Sequence, residues 1–345
     1  MAKTLKMERK PRQSVQVDQP LVINSLLQEG NLLPLKITPA SVEVELLKWA
    51  KNNREELNNL LLKHGGILFR GFKVEDTKDF HAFVREVAGE LLEYKDHATP
   101  RSPVKNQIYT STDFAADQWI ELHNEMAYSH EWPMKIFFYC NIASSKGGET
   151  PIADSRKIYQ RIDKEIKNNF IEKQVMYVRN LGLSLGMKWQ DVFQTNDKEV
   201  VEKVCSQNEI KCIWKSEDHL RLEQIRPAIA DHPVTGEPLW FNQVTAFNIS
   251  TLNSEVREEL LRQFTMQDVP KNSFYGDGTE IEPEVLDHIR QVYEEETRMF
   301  PWREGDILML DNMLTAHGRS PYTGERRILV GMTESANWKT GGEYS

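Results

Sequence analysis

The strongest constraint on this chain is how its apolar periodicity is distributed. Helical patterning dominates before residue 92, and strand-like patterning recurs, widely spaced, from about residue 105 onward. Residues 41–64 carry Leu46, Trp49, Ala50, Leu57, Leu60 and Leu61 at helical spacing, with Asn53 as the one polar break. Gly65-Gly66 is expected to end that helix. Ile67-Leu68-Phe69 then reads as a short buried strand, and 77–91 as a second helix with Asp76 as its candidate cap. Beyond 105, residues 135–142, 175–181, 219–226, 239–243, 306–310 and 327–333 are rich in aromatic and branched side chains and read as strands. Helices are expected between them, near 154–172, 254–265 and 283–297, the last opening on Pro283, where a missing N–H costs nothing. Long, irregular connections between strands do not match alternating βαβ units. They predict an α+β, mainly β architecture, a sheet sandwich or barrel with inserted helices.

Composition narrows the function classes. A net charge of −9 over 345 residues argues against general nucleic-acid binding. No run of eighteen apolar residues suggests a membrane span. Residues 1–20 are polar and basic and read as a flexible tail, not a secretory signal, which leaves 21–345 as one domain. Cys140, Cys205 and Cys212 have neither disulfide-framework nor zinc-finger spacing, so a reducing cytoplasm is the expected compartment. Residues 183–218, weakly patterned and carrying Trp189 and Trp214, read equally well as a lid over a site and as a surface excursion. Self-association is left open.

Three residues stand out as a metal-ligand set: His123 and Glu125, two apart, and His317 far downstream. On an extended segment residues i and i+2 point the same way, so His123 and Glu125 can reach one ion. Two histidines and a carboxylate on one face of an octahedral ion leave positions open, as in non-haem Fe(II) oxygenases. The short motif is weak alone. Nine histidines and 52 acidic residues among 345 give a chance expectation of about 1.4 His-x-Asp/Glu matches, and one is found. The surroundings add weight: residues 306–312 run from a strand into a turn before His317, and a further strand opens on Arg326-Arg327. A cation at the start of a buried strand needs an anion, from a salt bridge or from a cosubstrate carboxylate. His130 and His232, each near a proline in a turn-like stretch, read as structural.

Several segments in order carry a family resemblance: 64–72 (HGGILFRGF), 121–133 (ELHNEMAYSHEWP), 147–151 (GGETP) and 311–328 (DNMLTAHGRSPYTGERRI). Across roughly residues 30–335 the chain resembles the taurine dioxygenase (TauD/TfdA-like) family of Fe(II)- and 2-oxoglutarate-dependent oxygenases, in the clavaminate synthase-like superfamily. The resemblance implies a double-stranded β-helix, or jelly roll, with flanking helices. It implies Fe(II) on His123, Glu125 and His317, with 2-oxoglutarate held at its distal carboxylate by Thr150 and by Arg327 in preference to Arg326. With O2 as oxidant, decarboxylation of 2-oxoglutarate to succinate would be coupled to oxidation of a substrate C–H bond. A carboxylate at position 125 points to oxygenation, since halogenating relatives carry a small residue there.

HNEMAY with the later WFNQ (Trp240–Gln243) resembles the SyrP-like branch of natural-product assembly, whose members oxidise amino acids or their derivatives, free or tethered to a carrier protein. The expected activity is hydroxylation of such a substrate, with desaturation, epoxidation or cyclisation as the variant outcome and a non-catalytic metal-binding jelly roll as the rival of another class. Gly331 aligns with the arginine that binds sulfonate in the taurine-specific enzyme, which argues against taurine. Asn242, Tyr109 and Met126 are the candidate substrate contacts, with Trp240 and Asn242 sharing one strand face.

Overall fold

The computed structural model describes residues 20–93, 103–105, 107–111, 114–183 and 186–338. The expected tail, apart from Pro20, lies outside them.

The main sheet has eight strands, in the spatial order Val22–Gln28, Asn31–Pro39, Gly66–Phe69, Ile307–Asp311, Glu131–Ile142, Arg327–Asn337, Ile108–Thr110, Pro103–Lys105. All neighbours are antiparallel except Asn31–Pro39 beside Gly66–Phe69. The period-2 alternation of these strands sorts their side chains into two cores. Phe137, Tyr139, Ile307, Met309, Phe69 and Leu329 face outward under helices Leu46–Asn52, Arg54–His64 and Thr77–Ala88. Phe138, Cys140, Leu308, Leu310, Ile328, Val330 and Met332 face inward, where Ile152 and Trp302 meet them. Phe137 is fully buried, and a side chain of that size contributes about 2–3 kcal/mol by leaving water.

Ile152 belongs to the second layer, a three-stranded antiparallel sheet in the order Ile120–His123, Thr315–Arg319, Ile152–Asp154. Its far side (Leu122, Ala153, Ala316) packs under helices Ser155–Arg161, Lys164–Lys173 and Pro283–Glu296. The result is the expected α+β jelly roll with helices outside both sheets. A separate four-stranded sheet, Lys211–Trp214, Leu220–Arg226, Val175–Leu181 and Lys271–Tyr275, lies beside it. The segment expected as a lid or excursion supplies that sheet's edge strand. Its two helices, Trp189–Phe193 and Lys198–Gln207, build a small core of Trp189, Val192, Val201 and Cys205 against Leu181, Leu220 and Leu222.

Some boundaries differ from the sequence reading, each for a local reason. The helix read over 41–64 starts at Leu46 and is two helices. Asn53 leaves helical geometry (φ −124°, ψ 25°) and its side-chain amide donates to the Trp49 carbonyl at 2.8 Å, so the polar break is a stop. The helix read over 154–172 breaks likewise at Ile162–Asp163. Gly65, in the left-handed region at φ 73°, ends the second helix, and Asp76 caps the third by accepting from Lys78 and Asp79 N–H, as expected. The strand read over 239–243 closes at Trp240, and a short helix follows at Val244–Phe247.

Candidate metal centre

His123 ends one strand of the three-stranded sheet, and His317 is its direct cross-strand partner in the next. Directly opposed residues share a face, so the pairing brings together two imidazoles separated by almost two hundred residues of chain. Their ring centroids are 4.6 Å apart. Gly318 makes the approach possible: a Cβ there would lie 2.5 Å from the Ile120 carbonyl oxygen on the neighbouring strand. The buried Glu125 reaches the same point, with Oε2 3.8 Å from His123 Nε2 and 3.6 Å from His317 Nε2. One ligand atom from each residue lies within 4.8 Å of the other two, and no other such His/Cys/Asp/Glu group occurs among the described residues. His123 Nδ1 is 2.8 Å from the Glu121 carbonyl oxygen. A carbonyl only accepts, so Nδ1 carries the proton and Nε2 presents its lone pair to the centre. Two imidazole nitrogens and a carboxylate oxygen are the donors a ferrous ion takes.

The backbone between the ligands is held by side chains that the sequence did not flag. Asn312 Oδ1 accepts from Glu125 N–H at 2.7 Å, and its Nδ2 donates to the carbonyls of Glu125 (2.9 Å) and Pro133 (2.8 Å). Asn124 donates to the Asn312 carbonyl at 2.6 Å and to Ser155 Oγ at 3.1 Å. Gln243 Nε2 donates to the Asn124 carbonyl at 2.7 Å. Asp311 accepts from Met313 and Leu314 N–H, both at 3.0 Å, and accepts from His232 Nε2 at 3.1 Å. His232 Nδ1 in turn accepts from Val234 and Thr235 N–H, which fixes the neutral tautomer and a scaffolding place for this histidine. His130 sits outside the ligand set, 3.6 Å from Glu209. The only available signal for these supports was Asp311-Asn312 at a strand-to-turn junction.

The structure turns Arg326 inward where Arg327 was expected. Arg327 is exposed, and Arg326 is the one that turns inward. Ile328, Val330 and Met332 face the inner core, so strand alternation puts 326 on their side and 327 on the other. Arg326 Nε donates to the Gly148 carbonyl at 2.9 Å and Nη1 to Ser111 Oγ at 3.3 Å, both neutral acceptors. Burial, and then the neighbouring Arg319, push its pKa down to about 10. It is a cation at neutral pH with reason to attract an anion. Gly148, at φ 74°, permits this approach, because a Cβ there would lie 2.9 Å from Arg326 Cδ. Two residues on, the buried Thr150 accepts from Trp302 Nε1 at 3.2 Å. Arg326 therefore bonds the loop that carries Thr150.

The same parity corrects the Gly331 argument. Gly331 faces outward toward Leu91 and Phe80, and the inward residues of its strand are apolar. Asn242, expected as a substrate contact, is buried; its Nδ2 donates to the Ala228 carbonyl at 2.8 Å and its Oδ1 accepts from Val244 N–H at 3.0 Å. Both polar ends brace the turn into the short helix, and the residue lies past the strand it was to share with Trp240. Tyr109 packs against the inner core beside its strand partner Val330. Met126, half-buried, follows Glu125 in a left-handed conformation (φ 57°) that a side-chain-bearing residue rarely adopts.

A family model described as "Taurine catabolism dioxygenase TauD, TfdA family" matches residues 31–333. The chain belongs to the TauD/TfdA family. It is a 2-oxoglutarate-dependent dioxygenase that uses iron and acts on a small molecule. It is similar to the dapdiamide synthesis protein DdaC of Enterobacter agglomerans, 40% identical over 278 residues, covering 81% of this chain and 84% of the relative. It is also similar to a clavaminate synthase-like protein of Arabidopsis thaliana, 30% identical over 322 residues, covering 88% and 94%. Among solved structures, PvcB, an Fe, α-ketoglutarate-dependent oxygenase from an isonitrile synthetic pathway, aligns with TM-score 0.55 at 16% identity over 95% of this chain and 97% of that one. AAD-2 in complex with Mn(II) and N-oxalylglycine aligns with TM-score 0.52 at 14% identity, covering 94% and 98%. These two likenesses concern the fold. No helix among the described residues is long and apolar enough to cross a membrane.

Proposed function

We propose that this TauD/TfdA-family chain hydroxylates an unactivated C–H bond of an amino acid or amino-acid derivative in natural-product biosynthesis. The observation that carries the reading is the convergence of His123, Glu125 and His317 ligand atoms within 4.8 Å, together with the bond from Arg326 to the loop that carries Thr150. His123 Nε2, His317 Nε2 and a Glu125 carboxylate oxygen hold Fe(II). Arg326 pairs with the distal carboxylate of 2-oxoglutarate, and Thr150 donates its hydroxyl to the same group. When bound, the iron and the keto acid supply an oxidant derived from O2, with succinate and carbon dioxide as the cosubstrate's products.

The protein's own residues have four tasks. His123, fixed by Glu121, presents a lone pair without needing to rotate. Asn312 and Asn124 hold the Glu125 backbone so that its carboxylate arrives at a set angle. Phe138, whose ring lies 5.1 Å from that of His317, and the inner apolar core exclude water from a reactive site. Tyr109 and Met126 form walls of the substrate pocket. Support for the biosynthetic setting comes from DdaC and PvcB, whose descriptions place them in dapdiamide synthesis and an isonitrile pathway. Delivery of the substrate on a carrier protein is an extension of this reading.

The test is anaerobic titration of apo-protein with Fe(II) and 2-oxoglutarate. A weak visible charge-transfer band is expected, absent in His317→Ala and weakened in Arg326→Gln. No band in the wild-type protein under any condition overturns the reading. A screen of amino acids, free and carrier-loaded, for stimulated succinate release then finds the substrate, and product mass separates hydroxylation from desaturation.

A further inference from the structure

One end of the main sheet carries charge that the oxidation chemistry does not use. Asn31–Pro39 runs parallel to Gly66–Phe69, so both segments leave the sheet at the same end. Ile307–Asp311 pairs antiparallel with Gly66–Phe69, so the turn that precedes Ile307 arrives at that end too. Where the three segments meet there is a cleft of about 460 Å³, and Lys36, Thr38, Ser41, Arg70 and Arg303 are among its lining residues. Its size falls within the roughly 300–1,000 Å³ typical of small-molecule sites.

No carboxylate lines this cleft, in a chain of net charge −9. Of its three cations, Arg70 is already neutralised. Its Nη2 lies 2.6 Å from Asp306 Oδ2 and its Nε 3.1 Å from Oδ1. Asp306 Oδ2 also accepts from the Arg303 N–H at 2.8 Å. One buried carboxylate thus fixes both the Arg70 fork and the turn that carries Arg303. The Lys36 ammonium and the Arg303 guanidinium meet no carboxylate among the described residues. The uncompensated charge of the cleft is therefore two. Thr38 and Ser41 add hydroxyl donors, and the Thr38 bond to the Ile23 carbonyl is long, at 3.4 Å. A monocarboxylate would leave one of the two cations unpaired. A phosphate monoester carries about −1.5 to −2 at pH 7 and offers three acceptor oxygens, which matches both the charge and the donors.

We propose that this cleft is a binding site for a small phosphate monoester, separate from the metal centre. Lys36 supplies a mobile charge and Arg303 a planar, forked one, and the Thr38 and Ser41 hydroxyls donate to the remaining phosphate oxygens. The site is joined to the metal centre through a single turn: Arg70 Nη2 donates to the Pro301 carbonyl at 2.8 Å, and the next residue, Trp302, donates to Thr150. The inference is independent of which C–H bond the enzyme oxidises.

The experiment is calorimetric titration of the anaerobic Fe(II)/2-oxoglutarate complex, at neutral pH and constant ionic strength, with phenyl phosphate as the dianionic probe and benzoate as the monoanionic one. Phenyl phosphate is expected to bind at one site, about tenfold or more tighter than benzoate, the worth of one further charge-assisted contact. Lys36→Gln and Arg303→Gln are each expected to weaken phenyl phosphate by about tenfold. Both variants are expected to keep the anaerobic visible band, which shows a folded metal centre. Arg326→Gln is expected to leave the phenyl phosphate affinity unchanged, because it alters the cosubstrate end of the molecule and not the cleft. Absence of binding, benzoate binding as tightly as phenyl phosphate, or an affinity unchanged in either Lys36→Gln or Arg303→Gln overturns the site. Loss of phenyl phosphate binding in Arg326→Gln overturns it as well, by moving the anion to the cosubstrate arginine.

Discussion

The two sheets of the jelly roll are stabilised in different ways. The eight-stranded sheet has long strands whose two faces bury Phe137, Tyr139, Met309 and Leu329 on one side and Phe138, Leu308 and Val330 on the other. The three-stranded sheet is built from segments of three to five residues, and it buries polar groups: His317, Thr315, Asp154 and Arg319. Its connections are held by side chains bonded to backbone, Asn312 to Glu125 and Asp311 to Met313 and Leu314. The long sheet is a non-directional apolar scaffold, while the short one is a directional network. Such a network suits metal ligands, because hydrogen bonds fix angles and apolar packing does not.

That contrast can be broken at chosen points. The largest effect is expected in the short sheet: His317→Ala removes a ligand, so succinate release should fall well beyond the 10–100-fold typical of losing a supporting residue at a metal site, with an unchanged melting transition in the apo-protein. Phe137→Ala probes the long sheet and should cost about 3–5 kcal/mol in denaturant unfolding while leaving the visible band of the folded fraction intact. A band lost in proportion to stability would show that the two sheets are not separable. Arg326→Gln should weaken 2-oxoglutarate binding by about 2–5 kcal/mol, seen as a raised KM for the keto acid. Asn312→Ala removes the side-chain bonds to the Glu125 N–H and carbonyl and should cost about 1–3 kcal/mol, together with a fall in Fe(II) affinity. Arg327→Gln is the smallest, within about 0.5 kcal/mol in stability and without effect on KM. If Arg327→Gln raised the KM and Arg326→Gln did not, the inward-facing assignment of the last strand would be wrong.

The parity of that strand shows where a sequence stops being informative. Arg326 and Arg327 are adjacent, and the family resemblance favoured the second. The deciding quantity was which of Ile328 or Leu329 faces the inner core, and each is apolar and buried, Ile328 inside and Leu329 under the helices. A strand buried on both faces carries no polar–apolar alternation, so its parity is invisible until the partner sheet is placed. Asn242 was obscure for a related reason. Its side chain satisfies local backbone groups, which a one-letter string does not distinguish from a side chain aimed at a ligand. The strands at 22–39 and the short segments carrying His123 and His317 went unread as strands because they are too brief or too polar to show a period.

By itself the sequence determined the long elements, whose hydrophobic spacing is a local property: the helices under the main sheet, the Gly65 stop, the Asp76 cap and the principal strands. It also singled out His123, Glu125 and His317, whose ligand atoms the fold brings within 4.8 Å of one another. Only the tertiary structure decided that the two histidines are cross-strand partners, that Asn312 clamps Glu125 and that Arg326 turns inward. Each of these depends on register between segments far apart in the chain. Register is fixed by the packing of whole layers against one another, which no single segment encodes.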